Sequence, residues 1–285
     1  MALDGTRMEQ LAHLKERIAS LQDLGGLIRA LRALSASHVQ EAQSALTGIR
    51  NYVETIEDAV VQGVDLLPGP KPPAPSGGEP TAAVLIAVCS EHGFVGALNE
   101  RLLDEAAGRR GYAGLAVIGR RGAMLAEERH LDLAWTFPMA TDVPGVLRAA
   151  RHAAQSLAHV TQATILYATY RPGGNYEIVA KDILPLAPDL LARTGRKSPP
   201  LHHLRPAQLL ERLADEYLFA EITHAIMQSL ASENGARLRV MESADRNIDK
   251  KLHGLRRDEH AQRQEAITAE LLDVVVGVEA ITGRP

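Results

Sequence analysis

At 285 residues with a net charge of −4, the chain can form one large or two ordinary domains and carries no broad basic field for nucleic acid. Aromatic residues make up only 4%, which argues for helices packed through Leu, Ala, Val and Ile and against a large aromatic-lined ligand pocket. The single cysteine, Cys89, excludes an intramolecular disulfide and argues against a cysteine-based zinc site.

The opening "MALDGTRMEQLAHLKERI" lacks the apolar core of a signal peptide. From Met8 to about Leu67 proline is absent, and Val39, Ala42, Leu46, Ile49, Val53, Ile56 and Val60 recur at alternating spacings of 3 and 4. Leu11, Leu14, Ile18 and Leu21 hold the same heptad register. Between them Gly25, Arg32 and Ser35 occupy seam positions, while Leu24, Leu27, Ile28, Leu31 and Leu34 form a shifted apolar stripe. The pattern predicts one helix of roughly 90 Å, changing its buried face part-way, with a local bend near Gly25-Gly26. The stretch "PGPKPPAPSGGEP" (68–80) is a linker by composition.

Residues 81–185 alternate between strand and helix signals. "AAVLIAVCS", "GLAVIG", "LDLAWTF", "QATILYATY" and "NYEIVAKDILP" read as strands, the last two joined by a "RPGGN" hairpin turn. Three helical segments lie between the first four strands. The expected layer is a mainly parallel, Rossmann-like α/β sheet with an antiparallel edge. Residues 186–206 read as a connecting loop. From Pro206 to Ile281 proline disappears again, and Leu209, Leu213, Leu218, Ile222, Ile226 and Leu230, then Met241, Ala244, Ile248, Leu252 and Leu255, trace a second helix of roughly 110 Å. Gly235 and Gly254 mark close contacts or slight bends in it. Neither helix can bury its face on a module of about 100 residues, so the two are expected to wind on each other antiparallel. The expected organisation is 1–67 and 207–285 as coiled-coil helices, with the linker, the α/β domain and the connecting loop between them.

The end, "RQEAITAELLDVVVGVEAIT" (263–282), is unusual. Leu271, Val274, Val278 and Ile281 continue a stripe that Ile267 begins, but Leu272, Val275 and Val276 point elsewhere. A helix apolar nearly all round expects enclosure, and a tip longer than its partner helix must find it outside the chain.

Chemical motifs are sparse. "SEHGFVGALNERLL" has the strand–turn–helix layout of a phosphate cradle, but Gly93 and Gly96 give only GxxG, and a plain tight turn is the competing reading. No GxxxxGK[ST] or GxSxG occurs, and the His202-His203 pair has no further ligand spacing. Cys89 reads as a small buried hydrophobe. The mixed charges of 245–259 read either as a solvated face with i,i+4 pairs or as a contact with a charged partner. Gln264 and Thr268 share a helix face and Glu270 lies about a quarter-turn away. A nucleotide-binding Rossmann-like protein and a self-associating coiled-coil scaffold are the alternatives that these residues leave open.

Three strings carry a resemblance. "ASENGARLRVMESADRN" and "RQEAITAELLDVVVGVEAI" resemble the C-terminal helix of the gamma subunit of F-type ATP synthases, through Ser232, Glu233, Ala236, Arg237, Met241, Arg263, Gln264, Ile267, Thr268, Glu270, Leu271, Gly277 and Ala280. "LKERIASLQDLGGLIRALRALSASHVQEAQ" is similar to that family's first helix, notably at Arg17-Ile18 and Ser35-Ala36-Ser37, and "SEHGFVGALN" to its middle motif through Ser90, Gly93, Gly96 and Asn99. The resemblance implies a central rotor shaft that does no bond chemistry and needs no cofactor or metal. Its implied partners are the alpha and beta subunits of the catalytic head, the epsilon subunit and the c-subunit ring, without direct membrane insertion, at the cytoplasmic face of a bacterial inner membrane. It implies contact with the alpha/beta hexamer at Gln264, Thr268, Glu270, Arg237 and Leu31. Leu271, Val274, Val275, Val278 and Ile281 would form an apolar tip turning in a sleeve. His38 and Ala261 stand where the family has basic residues, which marks a divergent or alternative-operon form.

Overall fold

The computed structural model describes residues 2–67, 83–193 and 201–282, without the side chains of 2–8, 189, 273, 277 and 279–282. The 68–80 linker therefore falls outside the described residues. The chain divides into two compact units, Leu34–Val240 and the pairing of Met1–Ala33 with Met241–Pro285. Two helices, α1 (Ala2–Asp65) and α6 (Pro206–Thr282), contribute to both.

In the larger unit, β1 (Ala83–Val88), α2 (Leu98–Ala107), β2 (Gly114–Ile118), α3 (Arg120–Glu128), β3 (Leu133–Phe137), α4 (Val143–Ser156), β4 (Gln162–Arg171) and β5 (Asn175–Leu184) follow one another. They form one sheet in the order β3-β2-β1-β4-β5. The first four strands are parallel, and β5 pairs antiparallel with β4 through a turn at Pro172–Gly174. Every residue of β1 is buried, which its uninterrupted apolar run anticipates, because helices cover both faces of a central parallel strand. On one face Leu85, Ala87 and Cys89 pack with Leu98, Leu102 and Leu103 of α2 and Ala126 of α3. On the other, Val84, Ile86 and Val88 share a core with Val146, Ala150 and Ala153 of α4, Leu218, Ile222 and Ile226 of α6, and Ala42 and Leu46 of α1. Helix α4 starts at Asp142, whose carboxylate accepts the Gly145 N–H at 2.7 Å.

Helix α6 meets this sheet at very short range. A side chain on Gly235 would collide with Tyr170 Cε2 at 2.6 Å, and one on Gly174 (φ +71°) with the Gly235 carbonyl at 2.5 Å. Gly235 is thus the close helix contact the sequence anticipates. Further along, Val60, Val61 and Val64 of α1 close a separate cluster with Tyr217 and with Leu190 of α5 (Pro188–Ala192). That short helix lies where the sequence reads as loop. Its five residues are too few for a periodicity signal.

In the smaller unit the two helices run antiparallel, with Leu14 and Ile18 of α1 buried against Ile248 and Leu252 of α6. Here the expected change of buried face does not occur. Leu24 and Leu27 stay about half exposed while Gly25 is buried, and α1 continues without a break. A Cβ on Gly25 would already touch Arg29 Nη1 at 3.3 Å and Ile248 Cγ2 at 3.4 Å, so a leucine side chain reaching beyond that Cβ would have to displace them. Arg32 keeps its seam position by reaching Asp245 at 2.7 Å, and Arg29 reaches the same carboxylate at 3.4 Å. Asp245 is therefore bonded across the helix pair. Such a polar contact in an apolar seam fixes register.

Two glycines make opposite predictions. A Cβ on Gly122 would stand 2.1 Å from Cys89 Cβ, whereas one on Gly254 meets nothing within 4 Å. Gly122→Ala should lower the thermal midpoint by several degrees through overpacking of about 1–3 kcal/mol. Gly254→Ala should raise it slightly, through about 1 kcal/mol of helix propensity. Thermal unfolding followed by circular dichroism checks both.

Candidate functional site

In an open α/β sheet the natural ligand position lies beyond the carboxyl ends of the strands, where strand order reverses. Here that point is between β1 and β4, facing the turn that joins β1 to α2. The turn is held by its own side chains: Asn99 Oδ1 accepts the Ser90 N–H at 2.9 Å, and Asn99 Nδ2 donates to Ser90 Oγ at 2.8 Å. Phe94 (φ +62°) and Gly96 (φ +60°) bend the chain back.

Two carboxylates fill this end of the sheet. Glu91 accepts the N–H groups of Arg120 at 3.1 Å and Met139 at 2.8 Å, and pairs with Arg120 Nε at 2.9 Å. It thereby ties the end of β1 to the residues just past β2 and β3. Glu233 of α6 accepts the N–H groups of Glu91 at 3.2 Å and His92 at 3.3 Å. Arg237 closes the set: its Nη2 donates to Glu233 at 2.6 Å, its Nε to the Gly93 carbonyl at 3.2 Å and its Nη1 to Asn234 Oδ1 at 3.0 Å. Ser232 Oγ donates to the Ala168 carbonyl of β4 at 2.8 Å, one turn before Gly235. Helix α6 thus occupies the crevice in which a nucleotide would lie. A buried N–H left without an acceptor costs about 1–3 kcal/mol, so these carboxylates are part of the fold.

The titratable groups nearby are set against chemistry. Burial, reinforced by Glu233 and Glu100, pushes the Cys89 thiol up to about 12. His224 is held down to about 4 by burial and by the Lys181 and Arg50 charges. Lys181 pairs with the buried Glu221 at 2.6 Å. Among the described residues no group of three or more His, Cys, Asp or Glu side chains is placed to hold a metal.

Of the five hexamer contacts that the resemblance implies, only Arg237 lies in this crevice. Arg237 is inside it and almost fully buried, with its guanidinium bonded within the unit. Leu31 is half-buried on α1. Gln264, Thr268 and Glu270 are exposed on α6, and the Thr268 hydroxyl donates back to the Gln264 carbonyl at 2.8 Å. Ile267, Leu271, Leu272, Val274, Val275, Val276 and Val278 are 48–62% exposed. The side chain of Ile281 lies outside the described residues. Sequence reasoning misses Glu91 and gives Ser232 and Glu233 no role beyond the resemblance; the available signal is a polar residue where the flanking pattern is buried.

A family model described as ATP synthase matches residues 10–281. The chain is 26% identical over 290 residues to the ATP synthase gamma chain of Geotalea uraniireducens (strain Rf4), covering 97% of this chain and 100% of that one. With the ATP synthase gamma chain of Moorella thermoacetica (strain ATCC 39073 / JCM 9320) it shares 25% over 284 residues, at 96% and 100% coverage. A chain in the rotor of Euglena gracilis mitochondrial ATP synthase superimposes with a TM-score of 0.63 at 12% identity, covering 91% of this chain and 99% of that one. A chain in the OSCP/F1/c-ring structure of the same assembly gives a TM-score of 0.67 at 13% identity, over 96% and 95%. At such identities the structural likeness speaks for the fold.

Two outcomes are expected. Iodoacetamide at pH 8 should leave Cys89 unmodified in the folded protein, because a thiol at about 12 holds roughly 10⁻⁴ of its population as thiolate, and should label it fully in urea. A histidine whose folded value lies below its ordinary 6.5 contributes stability that is fully present above about pH 6.5 and lost as pH falls towards 4. Thermal midpoints of His224→Gln should accordingly fall less between those pH values than those of the unaltered chain.

Proposed function

The chain belongs to the ATP synthase family, and from that premise we propose that it is the central rotor shaft, the gamma subunit, of an F-type ATP synthase. It couples ion flow through a membrane ring to ATP synthesis or hydrolysis in an alpha/beta hexamer and catalyses no bond chemistry itself. The observation that carries this reading is the end of α6, where seven large apolar side chains between Ile267 and Val278 stand about half exposed or more. Fully burying such a side chain is worth about 1.5–3 kcal/mol, and a sleeve formed by the hexamer is the proposed burial site. Leu271, Val274, Val275, Val278 and Ile281 form that tip.

A shaft drives catalysis elsewhere by presenting unlike faces to like sites. Moving one site from 1:99 to 99:1 between two conformations takes about 5.5 kcal/mol of differential contact. A few apolar and charged contacts made on one side only reach that size. Gln264, Thr268 and Glu270, exposed on α6, and Leu31 on α1 are the proposed hexamer contacts. Arg237 is proposed to act in the same coupling by holding α6 to the turn after β1. The organisation in this reading is 1–67 and 207–285 as shaft helices, 81–185 as the base, and 68–80 and 186–206 as connections. The base would meet the epsilon subunit and the c-subunit ring at the cytoplasmic face of a bacterial inner membrane. No described helix is long and apolar enough to cross a membrane. The occupied crevice beyond β1 and β4 supports this reading over nucleotide binding by the chain itself.

Co-expression with alpha and beta subunits from the same genome tests it. The expected product is a complex with one copy of this chain per alpha/beta hexamer and steady ATP turnover. Leu271→Asp, Val274→Asp and Val275→Asp together should leave the isolated chain's thermal midpoint unchanged, because the three side chains are exposed. They should cut turnover about tenfold or more, since burying a carboxylate in an apolar sleeve exceeds the 1.4 kcal/mol that tenfold requires. A chain that elutes alone, with hexamer turnover unaffected by its presence, would sink the proposal.

A further inference from the structure

We propose that the turn from Ser90 to Ala97 is an oxyanion cradle whose ligand is the chain's own Glu233 carboxylate, and that removing this carboxylate opens a binding site for a small free carboxylate. The inference stands on the geometry of the larger unit and is independent of the rotor reading.

The cradle has the parts such a site needs. It follows a buried parallel strand and precedes α2, at the reversal of strand order. The adjacent N–H groups of Glu91 and His92 point at one carboxylate, at 3.2 and 3.3 Å, as consecutive backbone donors do in anion-binding nests. A guanidinium supplies the countercharge at 2.6 Å from Arg237 Nη2. The donors are fixed independently of Glu233. Asn99 holds Ser90, Arg237 Nε is anchored on the Gly93 carbonyl, and its Nη1 rests on Asn234. The site is also dry, with the Glu233 side chain 4% exposed and that of Arg237 11%. The other carboxylate, Glu91, faces away onto Arg120 and Met139, and so does not compete for these donors.

Glu233 therefore occupies the position of an external anion on a preformed cradle. Truncating it takes the acceptor from two N–H groups and from Arg237 Nη2, and leaves a space the size of its lost carboxylate. A planar carboxylate such as formate has the charge, size and two acceptor oxygens for those donors.

The test compares sodium formate with sodium chloride at equal ionic strength. Glu233→Ala should unfold several degrees below the unaltered chain in chloride and regain at least half of that loss in formate, with a saturable dose dependence. The unaltered chain and Glu233→Gln, whose amide still fills the space, should respond equally to both salts. Glu233→Ala combined with Arg237→Ala should lose the formate response. In ¹⁵N-labelled Glu233→Ala, the amide signals of Glu91 and His92 should shift saturably with formate. If Glu233→Ala folds only when formate is present, the proposal is supported. Equal responses of Glu233→Ala to the two salts, no shift at Glu91 and His92, or failure to fold in either salt would overturn it.

Discussion

The larger unit depends on the enclosure of one stretch of α6. From Tyr217 to Arg237 nearly every residue is buried, whatever side of the helix it is on. A helix normally keeps a polar face in water. One enclosed on all sides must give each polar residue a partner, and Ser232, Glu233 and Arg237 find theirs on β4 and on the turn after β1. Helix α6 is thereby keyed to the carboxyl ends of the strands. It cannot roll about its axis without breaking hydrogen bonds to buried N–H groups, and Gly235 against Tyr170 leaves no slack for a slide. A helix held in this way suits a part that passes torque better than one that opens to admit a substrate.

The same stretch sets the titratable groups around the carboxyl ends of the strands. The nearest thiol is held protonated by burial and by the carboxylate beside it. The nearest imidazole on α6 is held neutral by burial and by neighbouring cations. Glu91 and Glu233 accept backbone N–H groups. The end of α6 behaves in the opposite way. Its apolar residues are exposed on several sides, and the polar contact at Thr268 is spent on its own helix.

Much of this was legible in the sequence because periodicity reports on which face is buried. The five strands, the antiparallel hairpin edge and both long helices follow from apolar spacing and proline placement, and Gly235 from its position inside a helical pattern. What stayed hidden has two physical causes. Hydrophobicity is a poor guide where space is tight, so the pattern points to Leu24 and Leu27, which stay exposed, rather than to Gly25. Polar residues in an apolar run look like ordinary surface until their partners are known, and those of Glu91 and Glu233 come from segments up to 142 residues away in sequence. The resemblance implies Arg237 as a hexamer contact, and within the chain its guanidinium bonds Glu233, Gly93 and Asn234, partners that the sequence does not announce. The five residues of α5 were too few to register.

The measurement that tests the rotor account most directly is rotation itself. Met124 on α3 is half exposed and Cys89 is fully buried, so Met124→Cys gives one accessible thiol for a bead or gold marker. With the alpha/beta hexamer fixed to a surface, the account predicts that ATP drives the marker round in one direction with three equivalent pauses per turn. A hexamer that contains this chain and hydrolyses ATP while the marker only diffuses at random would contradict it.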